Sequence, residues 1–307
     1  MKILMVYSQQ FAADKLTCEV LGGEYDIEAL HLDRMKPQSL EGVDLVLNKI
    51  YSSSIEKNGY LLEKTTELFT QCEKRDIKVI NGKKATKSDF DKLLMSNLLN
   101  TAKVKHPVSF AIDNMSQARH LLRASLTQGN YVLKRSCGGG GNDIAKIDSL
   151  DTLEQVVAEK LKKAKNDGYR QGFILQPFVK SKLSYDFRVT TVFGKAMHCY
   201  TRSMIKTNGS SKAWLSSACS GSEITFFSDL TKLPKSVVLI AEKAAKAIEC
   251  DIAGVDITAD EDGKPVVIEV NSSPCFNGLL QEVYMKFILP EICRNLQKMM
   301  DRRKRTV

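Results

Sequence analysis

Two carboxylates and one amide stand out in the segment AGVDITADEDGKPVVIEVNSSP, residues 253–274. Asp262-Gly263 between two alternating runs predicts a hairpin with a two-residue turn. That turn places Asp256 opposite Glu269 and Asn271 opposite Gly254. Strand side chains alternate, so Glu269 and Asn271 share a face, and Gly254 leaves room beside them. The other face would carry Val255, Ile257, Val266, Ile268 and Val270 as a continuous apolar surface. Facing Cβ atoms lie roughly 4.5–5.5 Å apart, and like charges so placed repel. A divalent cation removes that repulsion. Three oxygen donors without His or Cys suit Mg²⁺ or Mn²⁺. A solvated acidic strand face is the competing reading. A one-residue slip would turn the carboxylates to the apolar side, which the apolar alternation argues against.

A second group of residues suits phosphate. Gly138, Gly139, Gly140 and Gly141 lie in SCGGGGND, residues 136–143. Consecutive glycines let backbone N–H groups approach an anion. The run is neither a Walker A loop nor a GxGxxG dinucleotide fingerprint, and a flexible linker is the alternative. Lys134 ends an apolar run just before it, and its ammonium can bridge phosphates as a point charge. Lys92, beside Leu93 and Leu94 on a predicted helix, reads by itself as a surface lysine. Asp186 and Arg188 alternate along one predicted strand and share a face, with Arg202 on the partner strand. They read either as an exposed ion pair or as a ribose-binding acid with phosphate-binding arginines.

The elements that must position these groups follow from periodicity. Residues 1–85 alternate between strand-like runs (2–7, 26–32, 44–50, 78–80) and helical patterns (11–21, 58–74). That alternation predicts a small parallel sheet flanked by helices, closed by the turn signal Asn81-Gly82. A helix is expected over 88–101, with Ser88 as its N-cap and Asp89 and Asp91 in its first turn. Further helices are expected at 114–127, 152–166, 235–249 and 278–300. Strands are expected at 131–134, 143–147 and 173–176, with two more flanking Gly194-Lys195 and a polar loop over 207–222. Gln176-Pro177-Phe178-Val179 reads as a hinge into a further lobe.

The chain has 307 residues, enough for two or three lobes, with 43% apolar and 26% charged residues. No apolar run approaches the ~18 residues needed to span a membrane. The start, MKILMVYSQQ, lacks the apolar length and cleavage site of a signal peptide and reads as a buried strand. The eight cysteines form no CxxC pair, which argues against a zinc ribbon and for reduced thiols in a cytoplasmic protein. Cys137, in the glycine run, and Cys275, beside the acidic hairpin, are the two whose positions invite reactivity. The net charge of +9 favours an anionic ligand. The terminal RRKR cluster reads as a solvated tail, and no aromatic RNA-binding signature accompanies it, so nucleic acid is not an expected partner.

Taken in order, these parts resemble the ATP-grasp superfamily, and within it the RimK-like amino-acid ligases. The resemblance covers residues 88 to the C-terminus, and more loosely the N-terminal α/β segment. GVDI with VVIEVNSSP is similar to the family's metal-binding hairpin, and SDFDKLL and YVLKRSCGGGGNDIAKI to the segments bearing its two ATP lysines. ILQPFV is similar to its adenine-binding hinge, and YDFRV and CYTRSM to its strands carrying Asp-x-Arg and a further arginine. The fold implied is α/β (α+β lobes): an ATP-grasp fold with an N-terminal pre-ATP-grasp parallel-sheet domain. Its divisions are 1–87, 88–178 with the glycine loop, and 179–307 with the metal hairpin.

The resemblance implies an ATP-dependent carboxylate–amine ligase working through an acylphosphate. Lys92, Lys134 and Gly138–Gly141 would hold the phosphates. Gln176, Pro177, Phe178 and Val179 would meet the adenine, and Asp186 the ribose. Asp256, Glu269 and Asn271 would hold Mg²⁺ or Mn²⁺, while Arg202 and Arg188 would act in catalysis. The partners are ATP, a small carboxylate and an amine acceptor, an amino acid or peptide, with a homo-oligomer as an option. Asn48, Lys49 and Tyr51 would line the acceptor site. An ATP-grasp kinase and a non-catalytic nucleotide-binding protein are the rival readings. One departure stands out: the family's Arg-Ser-Asn motif meets AWLSSACSGSE, residues 213–223, with Leu215 for the arginine and Ser217 for the asparagine. Glutamate as substrate is therefore not implied, and Lys206 or Lys212 would have to supply the lost charge.

Overall fold

Strands paired in parallel are buried on both faces, so they read as unbroken apolar runs. That pattern opens the chain in the computed structural model, which describes residues 1–125, 130–138, 144–166, 172–205, 214, 222–227, 229–276, 278 and 280–306. β1 (Lys2–Tyr7), α1 (Ala12–Gly22), β2 (Asp26–His31), β3 (Leu45–Lys49), α2 (Ser52–Lys57), α3 (Gly59–Lys74) and β4 (Lys78–Ile80) follow in order. The four strands form one parallel sheet, β2-β1-β3-β4. All five residues of β3 are buried. Of these seven elements, only α2 has no counterpart among the expected ones. The turn at Asn81 takes a positive φ of 55° and does more than turn. Its side chain donates to Ile252 O and accepts from Ile252 N, both at 2.8 Å, stapling this sheet to the C-terminal half.

The helix expected over 88–101 is two helices, α4 (Lys83–Phe90) and α5 (Lys92–Thr101). Ser88 is not the cap. It lies inside α4 and its hydroxyl donates to Ala85 O at 2.8 Å. Asp91 takes an extended conformation and its carboxylate accepts from Leu93 N and Leu94 N, so it caps α5. The break makes Lys92 the first residue of α5. Next come β5 (Phe110–Ile112), α6 (Met115–Ser125), β6 (Tyr131–Arg135), β7 (Ala145–Ile147), α7 (Leu150–Asn166) and β8 (Phe173–Pro177). They form a second sheet, β5-β8-β6-β7, antiparallel throughout. Ala118, Leu153 and Val157 from the two helices pack on Ile112, Leu133 and Leu175.

The third sheet is built from β9 (Tyr185–Val192), β10 (Lys195–Ser203), β11 (Ile224–Phe227), β12 (Ile252–Ala259) and β13 (Pro265–Asn271), in the order β11-β10-β9-β12-β13. α8 (Lys235–Ala247) covers one face. Val237, Ala241 and Ala245 pack with Met95 and Leu99 of α5 on Val189, Val255, Ile257, Val267 and Val270. α9 (Leu280–Val283) and α10 (Leu289–Thr306) are joined by a π-helical turn at Tyr284–Ile288 rather than forming one helix from 278. The opposite face of the sheet carries the polar groups.

The hairpin of β12 and β13 keeps the expected register where the carboxylates lie: Asp256 faces Glu269 and Gly254 faces Asn271. It departs from that register nearer the turn, where Ile257 pairs with Val267, Thr258 with Val266 and Ala259 with Pro265. The connection is not the two-residue turn. Asp260 N donates to Lys264 O at 3.0 Å, and the Asp260 carboxylate accepts from Asp262 N and Lys264 N, closing a longer loop with Gly263 at φ +79°. A bulge at Ile268 absorbs the difference. A bulge re-aims the extra side chain. The apolar face is therefore Val255, Ile257, Val267 and Val270, and the expected Val266 and Ile268 lie off it.

Candidate active site

Strand pairing places five charged residues in a row two rungs deep across four strands. Arg202 on β10 pairs with Asp186 on β9, Arg188 on β9 with Asp256 on β12, and Asp256 with Glu269 on β13. Asp186, Arg202 and Asp256 are at most 6% exposed. This is neither a solvated acidic strand face nor an exposed ion pair. Arg188 Nη2 donates to Asp256 Oδ2 at 2.8 Å, and Arg202 Nη2 lies 2.9 Å from Asp256 Oδ1. Arg202 Nε donates to Asp186 Oδ1 at 3.0 Å, so Asp186 holds Arg202 in place. The space beside Gly254 is used by Arg188: a Cβ there would lie 2.7 Å from its Nη1.

Two lysines close the cleft from the other side. Lys92 is 7% exposed, not a surface lysine. The Asp91 cap starts α5 there, and Nζ lies 3.0 Å from Glu269 Oε1 and donates to Gly138 O at 2.5 Å. Lys134 is also buried, yet its ammonium makes no hydrogen bond or ion pair among the described residues. Burial, reinforced by Lys92 and opposed by Glu269 and Asp256, brings its pKa down to about 8. Burial resists ionisation of Glu269, but Lys92, Lys134 and Arg188 outweigh it and hold the carboxyl down at about 2. Burial pushes the Asp256 carboxyl up against the pull of Arg188 and Arg202, with Asp186 and Glu269 adding to the rise. Of the four cations here, Lys134 is the one with no ion pair among the described residues.

Lys92, Lys134 and Glu269 form one end of a small cleft. Met95, Leu99, Pro107 and Ile268 make its other wall apolar, with Ser96, His106 and Gln176 as polar points. A flat apolar group at one end and a polyanion at the other would match this division. Gln176 Nε2 donates to Ser109 Oγ at 2.7 Å and to Pro107 O at 3.3 Å, which leaves its carbonyl oxygen uncommitted. Phe178 lies beyond it, with Lys146 Nζ 4.5 Å above its ring and Trp214 6.0 Å from it edge-on. Gly138 has φ +110°, which favours glycine. Gly139, Gly140 and Gly141 lie outside the described residues, as do Leu215, Ser217, Lys206 and Lys212.

The donor set fits a divalent cation. Asp256 Oδ1 is buried and, despite its ion pairs, accepts no hydrogen bond. Asn271 Nδ2 donates to Gly254 O at 3.2 Å, which frees its carbonyl oxygen. Two carboxylates and an amide oxygen, without nitrogen or sulfur donors, suit Mg²⁺ or Mn²⁺ with phosphates completing the shell. Among the described residues no cluster of three or more His, Cys, Asp or Glu could hold a metal alone.

The expectations for Asn48 and Cys137 change, while Lys49 and Tyr51 take packed positions beside them. Asn48 is buried and donates to Asn81 O and Thr86 Oγ1, so it braces a turn rather than lining a substrate site. Lys49 is buried against Asp14 at 3.2 Å, and Tyr51 packs edge-on to Phe11. Burial pushes the Cys137 thiol up to about 12, which makes it an unreactive core thiol. The apolar wall was not singled out from sequence, although Lys92, Met95, Ser96 and Leu99 follow one helical stripe. From sequence, His106-Pro107 signals only a helix break. Asp89, expected in a helix first turn, instead lies near the end of α4 and accepts from Ser272 N and Oγ at 3.0 and 2.8 Å, tying α4 to the end of β13.

A family model described as the RimK-like ATP-grasp domain matches residues 89–287, a span containing every charged residue of this row and both lysines. The chain belongs to the RimK-like ATP-grasp family. Among its relatives, a probable alpha-L-glutamate ligase of Thioalkalivibrio sulfidiphilus is 28% identical over 244 residues, covering 80% of this chain and 73% of its own. The tetrahydromethanopterin:alpha-L-glutamate ligase of Methanosarcina acetivorans is 26% identical over 240 residues, with 69% and 68% covered. Among solved structures, the ATP-grasp ligase PsnB complexed with minimal precursor aligns with a TM-score of 0.66 at 18% identity, covering 97% of this chain and 98% of its own. D-alanine–D-alanine ligase from Bacillus anthracis aligns over 100% of both chains with a TM-score of 0.66 at 14% identity. The ATP-grasp fold expected from sequence is therefore the fold observed.

Proposed function

We propose that this RimK-like ATP-grasp protein is an ATP-dependent carboxylate–amine ligase that joins an amino acid to an amino-acid, peptide or small-metabolite partner. The observation that carries the reading is Lys134: a buried ammonium with no ion-pair partner among the described residues, across a cleft from ionised Glu269. An uncompensated buried charge is costly, and an anionic ligand removes that cost. Nucleotide phosphates provide one, and the apolar wall of Met95, Leu99 and Ile268 provides a seat for the base. The printed names of the relatives, glutamate ligases among them, support amide formation with an amino acid as one partner.

The residues divide the chemistry as follows. Lys92 and Lys134 bind the phosphates of ATP, Lys92 exchanging the Gly138 carbonyl for a phosphate oxygen. Asp256, Glu269 and Asn271 hold the divalent cation, which when bound neutralises phosphate charge as a Lewis acid. The substrate carboxylate attacks the γ-phosphorus and ADP leaves, giving an acylphosphate. The amine then attacks the acyl carbon, phosphate departs and an amide remains. Arg202, held by Asp186, and Arg188 meet the negative charge on the transferring phosphoryl group. The divisions 1–87, 88–178 and 179–307 are part of this proposal. No helix among the described residues is long and apolar enough to cross a membrane. No disulfide joins two of the described cysteines, and a cytoplasmic setting is part of this proposal.

The test is a screen of amino acids and peptides for acceptor-dependent phosphate release, with mass spectrometry of the product. An amide product with equimolar ADP and phosphate is expected. A stable phosphate ester would reassign the protein as a kinase, and absence of turnover with every acceptor would favour a nucleotide-binding role.

A further inference from the structure

Glu56 belongs to none of the motifs above. It lies on α2, and its Oε1 accepts from Arg135 Nη1 at 2.6 Å, the two side chains being only 10% and 12% exposed. Side chains alternate along a strand, so Arg135 and Lys134 leave β6 on opposite sides. The ion pair therefore grips β6 from behind while Lys134 faces the cleft.

The same carboxylate also meets the next turn of chain. A Cβ on Gly138 would collide with Glu56, so the Gly138 backbone runs directly against it. Cys137 Sγ donates to Ser52 O, at the start of α2, at 3.9 Å. On the other side, Lys92 N donates to Ser136 O at 2.9 Å and Lys92 Nζ to Gly138 O at 2.5 Å. The exit of β6 is thus held between α2 and the start of α5. Charge matters as well as shape. Without Arg135, the Glu56 carboxylate would be an unmatched negative group beside Gly138, where phosphates are expected to bind.

We propose that Glu56 is a positioning residue for the nucleotide cleft: paired with Arg135 and packed on Gly138, it fixes the exit of β6. It thereby sets where Lys134 and the carbonyl partner of Lys92 stand relative to Glu269. The pair joins the nucleotide site to the N-terminal sheet, because α2 follows β3 at the carboxyl ends of the parallel strands, where open α/β sheets take ligands. This role rests on the reading of the cleft as a nucleotide site, but not on the identity of the acceptor.

The experiment is calorimetric binding of Mg-ATP, without acceptor, to wild type, Glu56→Gln and Glu56→Asp, each checked for folding by circular dichroism. Glu56→Gln is expected to weaken binding about tenfold or more, within the ~10²-fold that a 1 Å misplacement costs. Glu56→Asp keeps the charge on a shorter stem and should lose about threefold. In turnover, KM for ATP should rise in the same order while kcat at saturating ATP holds, a split that general loss of structure does not produce. Wild-type affinity in either folded variant overturns the proposal, and Glu56→Asp decides it if Glu56→Gln does not fold. A wild type that binds Mg-ATP but forms no amide refutes the ligase reading and leaves this role intact. A wild type that binds no nucleotide overturns both.

Discussion

Lys92 Nζ stands 3.0 Å from Glu269 Oε1 and 2.5 Å from Gly138 O, so the lysine proposed to bind phosphate and the carboxylate proposed to bind metal neutralise each other before any ligand arrives. Binding Mg-ATP gives each a new partner of opposite charge. Lys92→Met should therefore lower ATP affinity by roughly 10- to 100-fold, the worth of a charge-assisted hydrogen bond of ~1.5–3 kcal/mol. The Glu269 carboxyl should also titrate above its present value of about 2, because Lys92 is the strongest of the cations holding it down. Calorimetry and carboxylate NMR read the two effects. ATP affinity within twofold of wild type would remove Lys92 from the phosphate site.

The pH dependence of ATP binding should report Lys134. Its free-state pKa, brought down to about 8 by burial, rises when phosphates bind beside it. Above pH 8 the complex therefore carries more protons than the free protein. Affinity is fully present below that pH and weakens as the pH rises through it, by up to about tenfold per pH unit. Calorimetry across pH 7–10 should show this decline together with proton uptake, and Lys134→Met should abolish both. A flat profile would mean that Lys134 does not meet phosphate.

Removing either carboxylate tests the metal site, but the two substitutions are not equivalent. Asp256 is buried between Arg188 and Arg202, and Asp256→Asn takes the ion-pair partner of Arg188 and leaves Arg202 with Asp186. Breaking a buried charge cluster in this way costs about 3–5 kcal/mol. Glu269 is 20% exposed in its side chain, and Lys92 keeps Gly138 O when it is lost. Urea unfolding should show Asp256→Asn clearly less stable than Glu269→Gln, while both lose Mg²⁺-dependent turnover. Glu269→Gln is thus the cleaner probe. Full Mg²⁺-dependent activity in that variant would refute the metal assignment.

How much of this was legible in sequence depended on range. The parallel sheet was visible because apolar runs and helical stripes are local patterns. The facing of Asp256 and Glu269 was read from a two-residue turn and holds because the bulge at Ile268 offsets the longer loop. What escaped depended on distant contacts. The Asp91 cap and the Ser88 position differ by three residues in a stretch rich in capping types, and Asp89 gains its meaning only from Ser272, far along the chain. The hairpin turn misled because Asp262-Gly263 is a strong signal, yet Asp260 closes a longer loop with its own carboxylate. Arg135 sat next to Lys134 in plain view, but nothing local pointed it at Glu56.

The protein's one tryptophan offers a reporter for the cleft. Trp214 meets the Phe178 ring edge-on at 6.0 Å, and Phe178 follows Gln176 and Pro177 in the segment expected to meet the base. A base entering beside that segment changes the polarity and packing around Phe178, and so the emission of Trp214. Titration with Mg-ATP should shift or quench that emission with the calorimetric Kd, and Phe178→Ala should reduce the amplitude. Binding seen by calorimetry without any emission change would place the base away from Phe178.

The bulge at Ile268 makes a sharper prediction, because it assigns adjacent residues to opposite sides of the sheet. Val267 is fully buried among Val255, Ile257 and the helices α5 and α8, while Ile268 lines the cleft. Val267→Ala removes core contacts and should cost about 1–3 kcal/mol of stability with little change in KM for ATP. Ile268→Ala should cost less stability but raise KM for ATP several-fold, about 0.8 kcal/mol being lost for each apolar carbon no longer covered by the base. An unbroken two-residue-turn register predicts the reverse, with Ile268 in the core and Val267 on the polar side. Thermal melts and ATP kinetics on the two variants decide between the registers, and a larger stability loss at Ile268 than at Val267 would rule the bulge out.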